Sequence, residues 1–79
     1  MNLIRRILVR LFGYRFARVG DWVYCSRFNY KGRITRLHMG VLYPVKVESV
    51  LGRRYSYSKS GRYCYDDRKP TLEYIGGSR

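Results

Sequence analysis

The chain has 79 residues, of which 17 are Lys or Arg and five are Asp or Glu, giving a formal net charge of +12. This length allows one domain with a small core, and so small a domain rarely encloses a pocket deep enough for a substrate. The apolar fraction of 46% excludes a disordered polycation, so the sequence predicts a folded basic domain. Its positive field favours anionic partners, namely phosphate backbones, acidic protein surfaces and anionic lipid headgroups.

The first segment, residues 1–13, predicts a basic amphipathic helix. Five aliphatic side chains recur at helical spacing, namely Leu3, Ile4, Ile7, Leu8 and Leu11. Arg5, Arg6 and Arg10 interrupt this apolar run, which is too short to span a bilayer and lacks the features of a secretory signal. Gly13 predicts the C-terminal cap. We expect the stripe to pack on the rest of the protein or on a second copy; a partner's groove and an anionic membrane are the alternatives.

Beyond the helix the pattern changes to short β-strands separated by turns. Runs of β-forming or alternating residues recur about every ten residues. They predict strands at 22–25, 33–37, 43–48, 54–58 and 71–75. Tyr43, Val45 and Val47 are predicted to face the core, with Lys46 and Glu48 on the opposite side.

This strand spacing predicts a mainly β fold with one N-terminal helix. Four or five short strands with regular turns are typical of a small SH3-like antiparallel barrel, here over residues 19–75. Residues 13–20 are a candidate hinge between helix and barrel, and residues 76–79 predict a frayed C-terminus.

Residues that could support metal binding or catalysis are few and scattered. Cys25 and Cys64 belong to no CxxC pair and His38 has no partner at ligand spacing, so neither a metal site nor another cofactor is predicted. Buried free thiols are the favoured interpretation of the cysteines, with a disulfide between them as the alternative. Asp66 and Asp67 are adjacent, and this predicts a charged turn rather than a catalytic pair. The chain is therefore predicted not to be an enzyme.

Several short elements resemble a pattern in small accessory proteins of tailed bacteriophages and prophages. They are Gly20-Asp-x-Val-Tyr24, Gly32-x-Ile34, Tyr43-Pro-Val-x-Val47, Tyr55-x-Tyr57-x-x-x-Gly61-Arg-Tyr63 and Pro70-Thr-Leu72. The resemblance covers residues 19–74, leaves out the helix and implies no catalytic residues. It implies a setting in the host cytoplasm, where such proteins act as inhibitors or adaptors on host machinery. Gly32-Arg-Ile34 is also similar to the short motif of ribosome- and transcription-associated SH3-like barrels.

Basic and aromatic residues together form the candidate binding surface. Arginine supplies forked donors for phosphate, and aromatic faces can stack on unpaired bases. The candidates lie around the first hairpin and the fourth predicted strand: Arg27, Tyr30, Lys31, Arg33, Arg53, Arg54, Tyr55, Tyr57, Lys59 and Arg62. The chain has nine tyrosines, and they must also build much of its small core. Any one tyrosine is therefore expected to have a structural role rather than a binding role.

The sequence and the resemblance together predict a non-enzymatic, phage-encoded binding protein. We expect stoichiometric interference with a host protein or nucleoprotein complex that handles nucleic acid or defends the host, in the manner of anti-CRISPR inhibitors. Direct binding to DNA or RNA is the alternative. A membrane-surface protein anchored by the helix is the third interpretation, and a membrane is not an expected partner. Arg and Tyr are enriched at protein interfaces as well, so composition does not separate the first two.

Overall fold

The computed structural model describes residues 2–63 and 70–77, and these form one α-helix, one 3₁₀ turn and a five-stranded antiparallel sheet. The elements are α1 (Asn2–Phe12), the 3₁₀ turn (Tyr14–Phe16), β1 (Trp22–Cys25), β2 (Tyr30–Leu37), β3 (Val45–Ser49), β4 (Arg54–Tyr57) and β5 (Leu72–Gly76). The strand order is β4-β3-β2-β1-β5, so four strands meander and the fifth returns to pair with the first. This order confirms the predicted SH3-like, mainly β fold with an N-terminal helix.

The second strand begins earlier than predicted. The sequence predicts this strand over 33–37, but Tyr30 already pairs with Cys25 and Gly32 pairs with Val23. The turn is tighter because Asn29 adopts the left-handed conformation, with φ of 53°. Gly32 therefore lies inside β2 rather than in a turn.

The core lies on the inner face of the sheet, where alternate residues of the strands meet. Its fully buried members are Val23, Cys25, Ile34, Val45, Val47 and Tyr57, and Val9, Tyr14, Leu72 and Tyr74 join them at the β5 side. The predicted inward orientation of Val45 and Val47 is confirmed. Cys25 is a buried free thiol, whereas Cys64 lies outside the described residues.

The helix contacts the sheet with the face opposite to the one predicted. Among the described side chains of α1, Val9 is the buried one and Leu8 is half-buried, while Leu3, Ile4, Ile7 and Leu11 are exposed, Leu11 at 68%. The expectation that this apolar stripe packs on the barrel is therefore wrong.

Two arginines explain why the polar side of α1 faces the body of the protein. A guanidinium N–H of Arg5 donates to the Phe16 carbonyl at 2.9 Å, and one of Arg6 donates to the Ile75 carbonyl at 3.0 Å. Charged donors satisfy backbone carbonyls well, and the aliphatic stems of the arginines can lie along the protein surface. Val9 lies between these two anchors on the same face.

The connection between helix and sheet is bonded at both ends. The Gly13 N–H donates to the Val9 carbonyl at 2.9 Å with φ of 101°, which confirms the predicted cap. The Tyr14 hydroxyl donates to the Leu72 carbonyl at 2.9 Å. At the other end, the Gly20 N–H donates to the Ile34 carbonyl at 2.7 Å. These bonds attach the candidate hinge, residues 13–20, to the sheet.

Replacing Val47 by Asp should unfold the protein. The side chain is completely buried, so the substitution places an unpaired carboxylate in the core at a cost of several kcal/mol. A domain of this size has roughly 5 kcal/mol of stability to lose. The matched control is Thr35→Asp, because Thr35 is exposed on β2. Thermal melts followed by circular dichroism should show a native transition for the control and none for Val47→Asp.

Candidate anion-binding face

The outer face of β1 and β2 brings two cations onto one aromatic ring. Val23 and Cys25 point inward, so Trp22 points outward, and it pairs across the hairpin with Arg33. The Arg33 guanidinium carbon lies 4.6 Å from the centroid of the Trp22 ring, and the Lys31 ammonium nitrogen lies 5.1 Å from it. Both distances fit cation–π contacts, which are worth about 0.5–1 kcal/mol at exposed sites.

The tryptophan orders these two charges without neutralising them. An aromatic ring attracts a cation through its quadrupole but carries no net charge, so the indole itself does not cancel the charges of Lys31 and Arg33. Both cations are exposed. The arrangement is suited to a ligand with two or more anionic groups.

Further cations lie along the same sheet. Arg33 pairs in register with Glu48, and Glu48 pairs with Arg54 on the next strand. In the neighbouring row, Arg36 pairs with Lys46, whose ammonium donates to the Ser56 hydroxyl at 3.1 Å. We call Trp22, Lys31, Arg33, Arg36, Lys46 and Arg54 the basic sheet face. Glu48 is a carboxylate within these rows, and the basic residues outnumber it.

Several of the predicted binding tyrosines belong instead to an aromatic cluster at the edge of the core. The Tyr55 ring is stacked between Tyr30, with centroids 4.5 Å apart, and Phe28, at 5.1 Å. Tyr63 meets Phe28 and Tyr57 edge-on, at 4.8 and 5.7 Å. Both faces of Tyr55 are therefore covered by other rings, which leaves no face for a nucleic-acid base.

Tyr57 was predicted to be a binding residue, and this prediction is wrong. Its side chain is completely buried, and its hydroxyl shares a 2.5 Å hydrogen bond with the Tyr30 hydroxyl. Burial raises the pKa of both tyrosines above the ordinary value. These two residues stabilise the core, and Tyr57 does not contribute to the surface.

The remaining predicted residues lie in separate places. The Arg27 guanidinium lies over the Phe28 and Tyr63 rings, at 5.6 and 5.4 Å from their centroids. Arg53 is exposed in the turn before β4. Lys59 and Arg62 line a groove beyond β4. The structure thus brings Lys31, Arg33 and Arg54 onto one sheet face but does not unite the full predicted set.

Three residues of the basic sheet face, Trp22, Arg36 and Lys46, were not among the predicted binding residues. For Trp22, the proximity to the basic residues of β2 follows from the hairpin register, which pairs residue 22 with residue 33. The strand predicted over 33–37 leaves Lys31 outside it, so the contact of Lys31 with Trp22 does not follow from that prediction.

Within residues 2–63 and 70–77, no group of three or more His, Cys, Asp or Glu side chains is placed to hold a metal ion. No helix in these described ranges is long and apolar enough to cross a bilayer. The Asp66-Asp67 pair lies outside them. No protein-family model, curated protein or solved structure is significantly similar to the chain, so the resemblance to phage proteins stays a prediction.

The buried tyrosines predict a loss of stability in alkali. Burial raises the pKa of four tyrosines, Tyr14, Tyr30, Tyr57 and Tyr74. An unfolded chain releases these protons near pH 10, whereas the folded protein retains them. The contribution of these tyrosines to the free energy of unfolding is therefore intact below about pH 10 and is lost as the pH rises further.

Thermal melts at increasing pH, with phenolate absorbance recorded in parallel, test this expectation. The melting temperature should fall above about pH 10. Its decrease with pH should be less steep in Tyr14→Phe, which lacks one of the four phenol groups. If all tyrosines ionised near pH 10 in the folded protein with no change in melting temperature, the burial effect would be disproved.

Proposed function

We propose that this protein is a non-enzymatic, phage-type binding protein that acts through the basic sheet face. Its partner would be an anionic surface of a host complex that handles nucleic acid or defends the host, and its mode would be stoichiometric occupation of that surface. The observation that carries the proposal is the pair of cations, Lys31 and Arg33, held over the single ring of Trp22.

Ordered cations favour a polyanionic partner for an entropic reason. Free Lys and Arg side chains lose about 1.5–2 kcal/mol of rotamer entropy when a ligand fixes them. Contact with Trp22 already restricts these side chains in the free protein, so binding costs less rotamer entropy and more of the interaction energy contributes to affinity. Two neighbouring like charges also repel each other, and an anionic ligand relieves that repulsion.

The charge of the whole chain supports the same conclusion. A net charge of +12 steers anionic partners toward the protein and raises the rate of encounter. The resemblance to small phage proteins adds the setting, in which the partner is a host protein or nucleoprotein complex.

Direct binding to DNA or RNA is the second candidate, and it would use the same basic sheet face. Because Phe28 and Tyr30 stack on the two faces of the Tyr55 ring, and Tyr57 is buried, neither of these predicted tyrosines is free to stack on bases. Such binding would therefore depend on phosphate contacts, and it would be strongly salt-dependent and weakly sequence-specific.

Matched substitutions test the role of the sheet face, with a short DNA duplex as the polyanionic probe. Lys31→Gln combined with Arg33→Gln should weaken binding about tenfold or more. The slope of log affinity against log salt concentration should fall by the amount expected for the loss of about two phosphate contacts. Trp22→Leu keeps the net charge and should weaken binding through the loss of ordering. Arg18→Gln, compared with Arg33→Gln alone, removes one exposed charge that is not part of the basic sheet face and should have the smaller effect. Equal losses for Arg18→Gln and Arg33→Gln would contradict a defined site.

A pull-down from host lysate separates the two kinds of partner. The wild-type protein and the Lys31→Gln, Arg33→Gln variant are compared with and without nuclease. Partners that survive nuclease and depend on Lys31 and Arg33 support a protein target. Loss of every partner after nuclease supports direct nucleic-acid binding instead.

A further inference from the structure

The helix presents an apolar stripe to solvent on the side away from the sheet. Leu3, Ile4, Ile7 and Leu11 are 65%, 67%, 48% and 68% exposed, and we call them the exposed stripe. Contiguous exposed aliphatic side chains are uncommon on proteins of this size and mark interaction sites. The stripe is distinct from the basic sheet face, which lies on β1 to β4.

The exposed stripe continues into a groove that cations border. Leu11 lines this groove together with Phe12 and Met39, which are 56% and 40% exposed. The basic residues that line the same groove are Arg10, Arg15 and Lys59. No carboxylate from the described part of the chain lines it. An apolar surface with a cationic border is therefore built at the end of the helix.

We propose that the exposed stripe docks on an anionic lipid bilayer surface, with α1 lying in the plane of the interface. An amphipathic helix binds in this way when its apolar face enters the headgroup boundary and its basic residues meet anionic headgroups. The exposed stripe supplies the apolar face, and Arg10, Arg15 and Lys59 supply the charges beside it. Helix α1 is about 16 Å long, which suits a surface contact.

The orientation of the helix makes this surface a fixed part of the fold. Arg5 and Arg6 bond to backbone carbonyls of the body, and Val9 is buried between them. These contacts hold the opposite side of α1, and with it the exposed stripe, outward. Substitutions on the stripe should therefore leave folding intact.

A second copy of the chain fits the stripe less well than a bilayer does. Two molecules of net charge +12 repel each other. A stable protein interface also involves roughly 20–30 residues a side, far more than a four-residue stripe provides. A bilayer that carries negative charge meets both the apolar and the basic part of the surface.

Vesicle co-sedimentation tests the proposal with variants of unchanged net charge. Ile7→Ser combined with Leu11→Ser removes apolar surface from the stripe, and Val50→Ser combined with Leu51→Ser removes as many exposed residues from the turn after β3. The vesicles contain either phosphatidylcholine alone or about 30% phosphatidylglycerol. We expect wild type and the turn variant to bind the anionic vesicles at about 150 mM salt, and the stripe variant to bind about tenfold or more weakly. Vesicles of phosphatidylcholine alone should bind little.

Each other outcome overturns the proposal. Equal binding by the stripe and turn variants would mean that charge alone adsorbs the protein. Absence of vesicle binding by the wild type would exclude the membrane. A wild-type dimer that the stripe variant converts to monomer would assign the stripe to a second copy. Retention of a lysate protein that depends on the stripe, with vesicle binding equal in both variants, would assign it to a protein partner. Unfolding of the stripe variant would show that the stripe is covered within the fold.

Discussion

The register between β2 and β3 determines both the core and the outer surface of this protein. Gly32 lies so close to β3 that a Cβ atom would stand 2.6 Å from the Glu48 carbonyl oxygen. Only glycine allows that approach. A slip of the register by one residue would bring a side chain to this point and would turn every side chain of the strand to the opposite face of the sheet. With Gly32 in place, Ile34 faces the core, whereas Lys31 and Arg33 face outward beside Trp22. The candidate site is thus a consequence of the strand pairing.

Burial of one scarce carboxylate makes the surface still more basic. Asp21 is only 6% exposed, and it accepts hydrogen bonds from the Arg18 N–H and the Tyr74 hydroxyl. These donors compensate a buried carboxylate and tie the start of β1 to β5. The structural role of Asp21 removes its charge from the outer surface, so Glu48 and Glu73 are the described carboxylates left to offset the cations there.

Local patterns predicted the features of the fold that depend on neighbouring residues. The alternation around Val45 and Val47 gave the inward face of β3, and Gly13 gave the end of the helix. The docking face of α1 was not predictable in this way. A helical pattern identifies an apolar stripe, but the choice of face depends on carbonyls of Phe16 and Ile75 that become neighbours only after folding.

The same limit applies to the candidate site. Composition indicated a basic and aromatic surface, yet it could not show which tyrosines the core would use. Tyr57 is buried and Tyr55 is enclosed by other rings because a core this small needs large side chains to fill it. The cation–π arrangement at Trp22 required the exact cross-strand partner, and a sequence without the hairpin register does not provide it.

The large net charge has a further consequence for a protein that exposes an apolar helix face. Exposed aliphatic side chains favour self-association. A small domain has a low free energy of unfolding, which leaves little for a rearrangement that would bury them. Mutual repulsion between copies carrying +12 charges opposes that association, while the same field attracts anionic surfaces. Charge and apolar surface therefore act together in the proposed docking: the charge opposes association between copies of the chain, and it attracts an anionic surface to the exposed stripe.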